Sequence, residues 1–151
     1  MLIQTLQSLF DRDLTKLHSE IEQYQSEEAL WQIEKGIANS AGNLCLHLLG
    51  NLNAFIGAAI GKTNYVRNRA EEFSLKGIPK AELLANIDAL KRVVKQSLDA
   101  LTPEDLSKEY PILVFAEKTS TEYMLVHLAT HLSYHLGQIN YHRRLLDEPG
   151  S

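Results

Sequence analysis

Four of the six histidines, His127, His131, His135 and His142, fall in one segment near the C-terminus. On a helix each residue advances about 100°, so positions four apart differ by only about 40° in azimuth. His127, His131 and His135 therefore share one stripe, which Met124 opens and Gln138 and His142 continue. Two imidazoles one turn apart leave a helix in the same direction and can converge on a single ion, the geometry behind helical His-x-x-x-His motifs. The outer two of the three lie about 12 Å apart along the axis, too far to serve one ion together. Either His127 with His131 or His131 with His135 is the ligating pair, and His131 belongs to both.

A third ligand must come from another element. His47 is the best candidate, because the stretch from Ala41 to Ile60 carries no Asp, Glu, Lys or Arg, and His47 and Cys45 are its only titratable side chains. Cys45 sits roughly 200° round the helix from His47, so the two do not share a site. Asn43 and Asn51 flank His47 four residues to either side and could hold its ring or bind a water. A lone histidine on an apolar helix is more often a satisfied core residue than a ligand. Joined to a His-x-x-x-His pair, the metal reading prevails. The remaining candidates read as structural: His18 faces solvent, His142 lies at the mouth or surface, Cys45 is a small buried hydrophobe, and Arg67 and Arg69 belong to a solvated connection. No carboxylate stands at a telling spacing beside His47 or His131. No Ser-His-Asp order, Gly-rich phosphate loop, Cys-x-x-Cys or Glu-x-x-His pair is present.

The elements that must position these residues follow from apolar periodicity. Leu6, Phe10, Leu14, Leu17, Ile21 and Tyr24 make one stripe on a first helix over 2–24. Residues 26–39 read as irregular, with Trp31 and Ile33 tucked inward. A second helix over 40–60, capped by Asn39 or Ser40, is apolar nearly all round and so buried on more than one side. Its Gly42, Gly50 and Gly57 cost helix propensity and point to close packing. Residues 65–77 read as a charged surface connection. A third helix over 79–101 carries the seam Leu83, Ile87, Leu90, Val94, Ser97 and Leu101. Thr102 to Asp105 reads as a stop and turn, and 110–115 as a short strand-like excursion or packed loop. Thr119-Ser120-Thr121-Glu122 reads as a capping box before a fourth helix that ends at about Leu146, ahead of Pro149 and Gly150. These four amphipathic helices without paired strands predict an all-α protein, a four-helix bundle in one domain over 1–151.

Composition narrows the class. The chain has 151 residues, formal net charge −4 and 44% apolar content. A mildly acidic chain without a basic block argues against nucleic-acid binding. No uncharged apolar run is long enough to span a membrane. A single cysteine and no recognisable signal peptide fit a cytoplasmic setting. The apolar excess of the second helix predicts a homodimer that covers it.

The string Asn43-Leu-Cys-Leu-His47-Leu-Leu-Gly-Asn51-Leu, with His127-Leu-Ala-Thr-His131-Leu-Ser-Tyr-His135-Leu-Gly137-Gln138-Ile139, resembles the DinB/YfiT-like superfamily, as does the charged segment from Tyr65 to Phe73. The resemblance covers nearly the whole chain. It implies an up-down-down-up four-helix bundle, frequent dimerisation, and a three-histidine site for a divalent metal, nickel or zinc above all. Carried over, the ligands are His47, His131 and His135, and His127 is a neighbour. Relatives include thiol-dependent S-transferases and an isomerase that uses a thiol cofactor. Three neutral imidazoles leave a divalent ion its full charge and an open position, suited to acidifying a water or thiol. The expected reaction is transfer of a small-molecule thiol cosubstrate to an electrophile. Metal-assisted hydrolysis and a non-catalytic metal- or ligand-binding bundle are the alternatives. Gln138 could orient His135 or a substrate, and His127 could act as a hydrogen-bond donor or proton acceptor.

Overall fold

A computed structural model describes residues 1–34 and 36–147. Its elements are α1 (Leu2–Glu22), α2 (Ala41–Leu52), α3 (Arg69–Ser74), α4 (Lys80–Asp99), α5 (Pro103–Ser107) and α6 (Thr121–Leu146), with a 3-10 turn at Ala29–Trp31 and a π-helical turn at Asn53–Ala58 that continues α2. Among the described residues helix is thus the only regular element, joined by turns and loops, with no strand and one isolated bridge between Glu109 and Ser120. None of these helices is long and apolar enough to cross a membrane. The Pro149 and Gly150 stop read from the sequence lies outside the described residues.

The four long helices bury the stripes that their spacing predicts. Leu6, Phe10, Leu14, Leu17 and Ile21 of α1, and Leu83, Ile87, Leu90, Val94 and Ser97 of α4, are all buried. α1 packs against α4 and α6, and α2 packs against the same two. The buried apolar side chains form one cluster. α2 is covered on nearly every side: each residue from Ala41 to Leu52 except Leu46 is buried within the chain itself. Over Ala41–Leu52 the apolar surface is thus covered by the protein's own elements, whereas most of 53–60, the rest of the second helix read from the sequence, is only half-buried.

The glycines of α2 mark close approaches. A Cβ on Gly42 would stand 2.6 Å from the Trp31 ring, and one on Gly57 would stand 2.9 Å from Val93. Trp31 thus packs inward as expected, but Ile33 does not and is 49% exposed. The Gln32 carbonyl is pinned by His142 Nε2 at 2.9 Å, and the chain then turns away from the core towards Gly36, whose φ of +93° favours glycine.

Four boundaries differ from the sequence reading. α2 yields to a π-helical turn at Asn53, whose side-chain amide donates to the Leu49 carbonyl in competition with the backbone ladder. The capping box lies at Thr102 and Asp105, which exchange side-chain and backbone bonds and start α5 where a turn was expected. α6 is capped by Ser120, whose hydroxyl accepts from Tyr123 N, without a reciprocal bond from Glu122. The segment over 65–77 is more than a connection, because it contains α3, capped by the Asn68 side chain. Residues 110–115 form a loop in which Tyr110 is buried, its hydroxyl donating to the Phe55 carbonyl, while Ile112, Leu113 and Val114 face out.

Candidate metal centre

His47 projects from α2 and His131 and His135 from successive turns of α6, and the contact between these helices brings the three rings together. His131 Nε2 lies 3.2 Å from His47 Nε2 and 3.2 Å from His135 Nε2. One ring nitrogen from each of the three residues lies within 4.8 Å of the others, an arrangement able to hold a metal ion. The rings meet edge to face, His47 at 76° to His131 and His131 at 88° to His135. Of the two pairs open in the sequence, it is His131 with His135 that the structure brings together with His47.

A carboxylate also reaches the site. Glu72 of α3 is buried and accepts from His47 Nδ1 through Oε1 at 3.0 Å. Arg67 grips the same carboxylate with two bonds, Nε to Oε2 at 2.8 Å and Nη2 to Oε1 at 2.9 Å. The Arg67 guanidinium lies over the Phe55 ring, 5.5 Å from its centroid. Phe73 stands against His47, with ring centroids 5.1 Å apart. Gly50 leaves the room: a Cβ there would fall 1.9 Å from Glu72 Oε2. Arg67 is therefore part of the site's wall rather than a solvated loop residue, and Glu72 is the carboxylate that sequence spacing missed. Glu72 lies 25 positions from His47 in the chain, and no periodicity links them. The signals were Gly50, a costly residue inside an apolar helix, and the charged segment from Tyr65 to Phe73 that contains Arg67 and Glu72.

Proton accounting tests whether these residues fit a cation. A carboxylate only accepts, so His47 carries its proton on Nδ1 and presents a bare Nε2. His135 Nδ1 lies 2.7 Å from Gln138 Oε1, also an acceptor, so its Nε2 is bare as well. The Nδ1 of His131 is buried with no partner. While the rings are neutral, three mutually facing Nε2 atoms share at most one proton, so at least two lone pairs converge there with no more than one N–H to answer them. A cation at their common point resolves that conflict. Added protons do not come easily: burial, then the neighbouring His135, His47 and His127, pushes His131 down to about 4. Burial also lowers His47 below the ordinary imidazole value, more than its bond to Glu72 raises it. Neutral imidazoles are the form that binds metal.

The other residues singled out by sequence fall into place around this centre. Gln138 lies within hydrogen-bond distance of His135, Oε1 to Nδ1 at 2.7 Å. His127 stacks on His131 with centroids 6.1 Å apart and is itself covered edge-on by Phe115. Asn43 does not hold His47; its amide donates to the Glu72 and Leu75 carbonyls, both at 2.9 Å, and anchors the α3 segment. Asn51 is buried and its Oδ1 has no partner. Cys45 is fully buried, and burial pushes its thiol up to about 12. His18 is only partly exposed, near Glu22 and Asp88. His142 is not at the mouth or surface: it is buried, bonded to Tyr24 and the Gln32 carbonyl. The turn at Ala29–Trp31 folds back over the end of α6 and encloses it.

A cleft of about 620 Å³ opens beside the centre. His135 and Gln138 form one end, and Leu44, Ile37, Tyr141 and Leu145 give it apolar walls.

Residues 1–149 match the family described as "Protein of unknown function (DUF1572)", and the chain belongs to that family. Among curated proteins, none matches it.

Proposed function

We propose that the protein is a divalent-metal-dependent enzyme of the DinB-like type, with His47, His131 and His135 as ligands of nickel or zinc and a small thiol as cosubstrate. The observation that carries this reading is the convergence of three Nε2 atoms with at most one proton among them. In this reading α1, α2, α4 and α6 form the up-down-down-up bundle of that superfamily, over one domain spanning 1–151. A divalent ion held by neutral imidazoles keeps its full charge and acidifies a bound thiol or polarises a carbonyl.

The chain's own residues favour thiol transfer over hydrolysis. A bound ion acidifies water as it does a thiol, but hydrolysis also draws on a general acid or base to carry a proton to the leaving group. Glu72 is the carboxylate at hand, and Arg67 and His47 occupy both of its oxygens. A thiol needs no such group once acidified. The buried Cys45 does not serve as nucleophile, so the thiol comes from solution, as a reducing cytoplasm would supply it. The electrophile's apolar body has a place in the cleft beside His135, with Gln138 at its rim. The family resemblance also implies a homodimer, which light scattering at micromolar concentration tests.

The test is a comparison of wild type and His131→Ala, each loaded with nickel or zinc, across several thiols and electrophiles. Thiol consumption by wild type alone supports the reading. Equal rates overturn metal-dependent transfer. Metal-dependent hydrolysis without thiol moves the assignment to a hydrolase, and tight binding without turnover leaves a binding bundle.

A further inference from the structure

We propose that Glu72 is a positioning residue for the metal centre: clamped by Arg67 and seated in the gap at Gly50, it fixes His47 in the orientation and tautomer that expose a bare Nε2 to the ion. The proposal rests on the metal reading above and assigns a role to three residues that do not themselves face the ion.

Three independent features converge on Glu72. The Arg67 fork holds its carboxylate at both oxygens, so the group does not swing. The fork rests on Phe55, which fixes its plane. Gly50 admits the carboxylate at a distance no side chain would allow. The backbone of Glu72 is held too, since Asn43 bonds its carbonyl. The consequence falls on His47. Its ring is gripped at Nδ1 on one edge, so its opposite edge has one direction and one protonation pattern. Gln138 does the same for His135 from within α6. His131 has no such partner, its Nδ1 being buried and unbonded. The centre is therefore assembled from two rings oriented by protein groups and a third aligned by packing. Carboxylates behind metal-bound imidazoles raise ligand basicity as well as aligning the ring, and their loss typically costs about 10–100-fold in affinity.

The test uses Glu72→Ala, Glu72→Gln and Arg67→Ala in the full chain, with two readouts. The first is cobalt(II) affinity by chelator competition, together with the visible spectrum of the bound ion. Glu72→Ala should bind about 10–100-fold more weakly with an altered spectrum. Arg67→Ala should shift both in the same direction by less, and Glu72→Gln, which keeps one acceptor oxygen, should recover part of the loss. The second readout is the imidazole nitrogen spectrum of the metal-free protein. His47 should appear as the Nδ1–H tautomer in wild type and move towards the Nε2–H form in Glu72→Ala. If Glu72→Ala fails to fold, as judged by circular dichroism, Glu72→Gln and Arg67→Ala carry both readouts. Wild-type affinity and spectrum in a folded variant with an unchanged His47 tautomer overturn the role of Glu72 and leave the metal centre standing. A wild type that binds no cobalt, nickel or zinc overturns the metal reading, and with it the role of Glu72 towards an ion, even where the tautomer shift is seen.

Discussion

Two histidine arrangements lie at different points along α6, His142 alone and His131 with His135 joined by His47 of α2, and they solve opposite problems. At His142 both ring nitrogens are satisfied by the protein: Nε2 donates to the Gln32 carbonyl at 2.9 Å, and Nδ1 accepts from the Tyr24 hydroxyl at 2.6 Å. At His47, His131 and His135 the protein satisfies one side of two rings and leaves three Nε2 atoms facing each other. Both groups are at least partly withdrawn from water, and burial lowers the pKa of His142, His47 and His131 alike. Burial and a perturbed pKa therefore do not separate a structural histidine from a ligand. The count of unanswered lone pairs does. The His142 arrangement is complete and pins the segment over 29–32 to the end of α6, whereas the triad is complete only when something positive is added.

The largest effect that could break this contrast is loss of metal. His131→Ala should abolish binding of nickel or zinc while the protein stays helical, and His142→Ala should keep the wild-type stoichiometry. Elemental analysis of tag-free protein reads both, and equal metal loss in the two variants would erase the distinction. Next is stability at the satisfied end. Tyr24→Phe leaves His142 Nδ1 buried without a donor and should cost about 1–3 kcal/mol in urea unfolding, with metal content unchanged.

The pH response is smaller and has a definite sign. Burial holds the folded His142 below its ordinary value of 6.5, while its bond to Gln32 and the nearby Asp147 oppose that shift. The unfolded chain therefore takes up the proton first, and the stability this group contributes is full above about pH 6.5 and falls as pH drops through the folded value. His47 and His131, lowered likewise, add to the slope when no metal is bound. Melting curves in chelator should fall between pH 7.5 and 5.5, less steeply for His142→Gln. The smallest effect is at His127. Its ring only stacks on His131, so His127→Ala should leave metal content as in wild type; a loss equal to that of His135→Ala would instead show that His127 ligates.

Spacing alone carried much of the framework. Apolar residues at intervals of three and four located α1 and α4, because a stripe that must leave water is written directly into the sequence. The same period put His131 and His135 on one stripe, and the absence of charge around His47 marked α2 as buried. These are properties of single helices, whose geometry follows from their own residues. What spacing could not supply are relations between elements. Glu72 and Arg67 reach His47 only because α3 folds onto α2 at Gly50, a contact across 25 positions that no local rule encodes. His142, read from the sequence as lying at the mouth or surface, is enclosed because the turn at Ala29–Trp31 crosses the end of α6. The apolar excess of the second helix was visible in sequence, but what covers it depends on packing, and over Ala41–Leu52 α6, α4 and α3 pack against it. Residue type and period thus determined which groups could ligate. The tertiary fold alone decided which nitrogen of each ring is left bare, because that depends on the acceptor placed behind it.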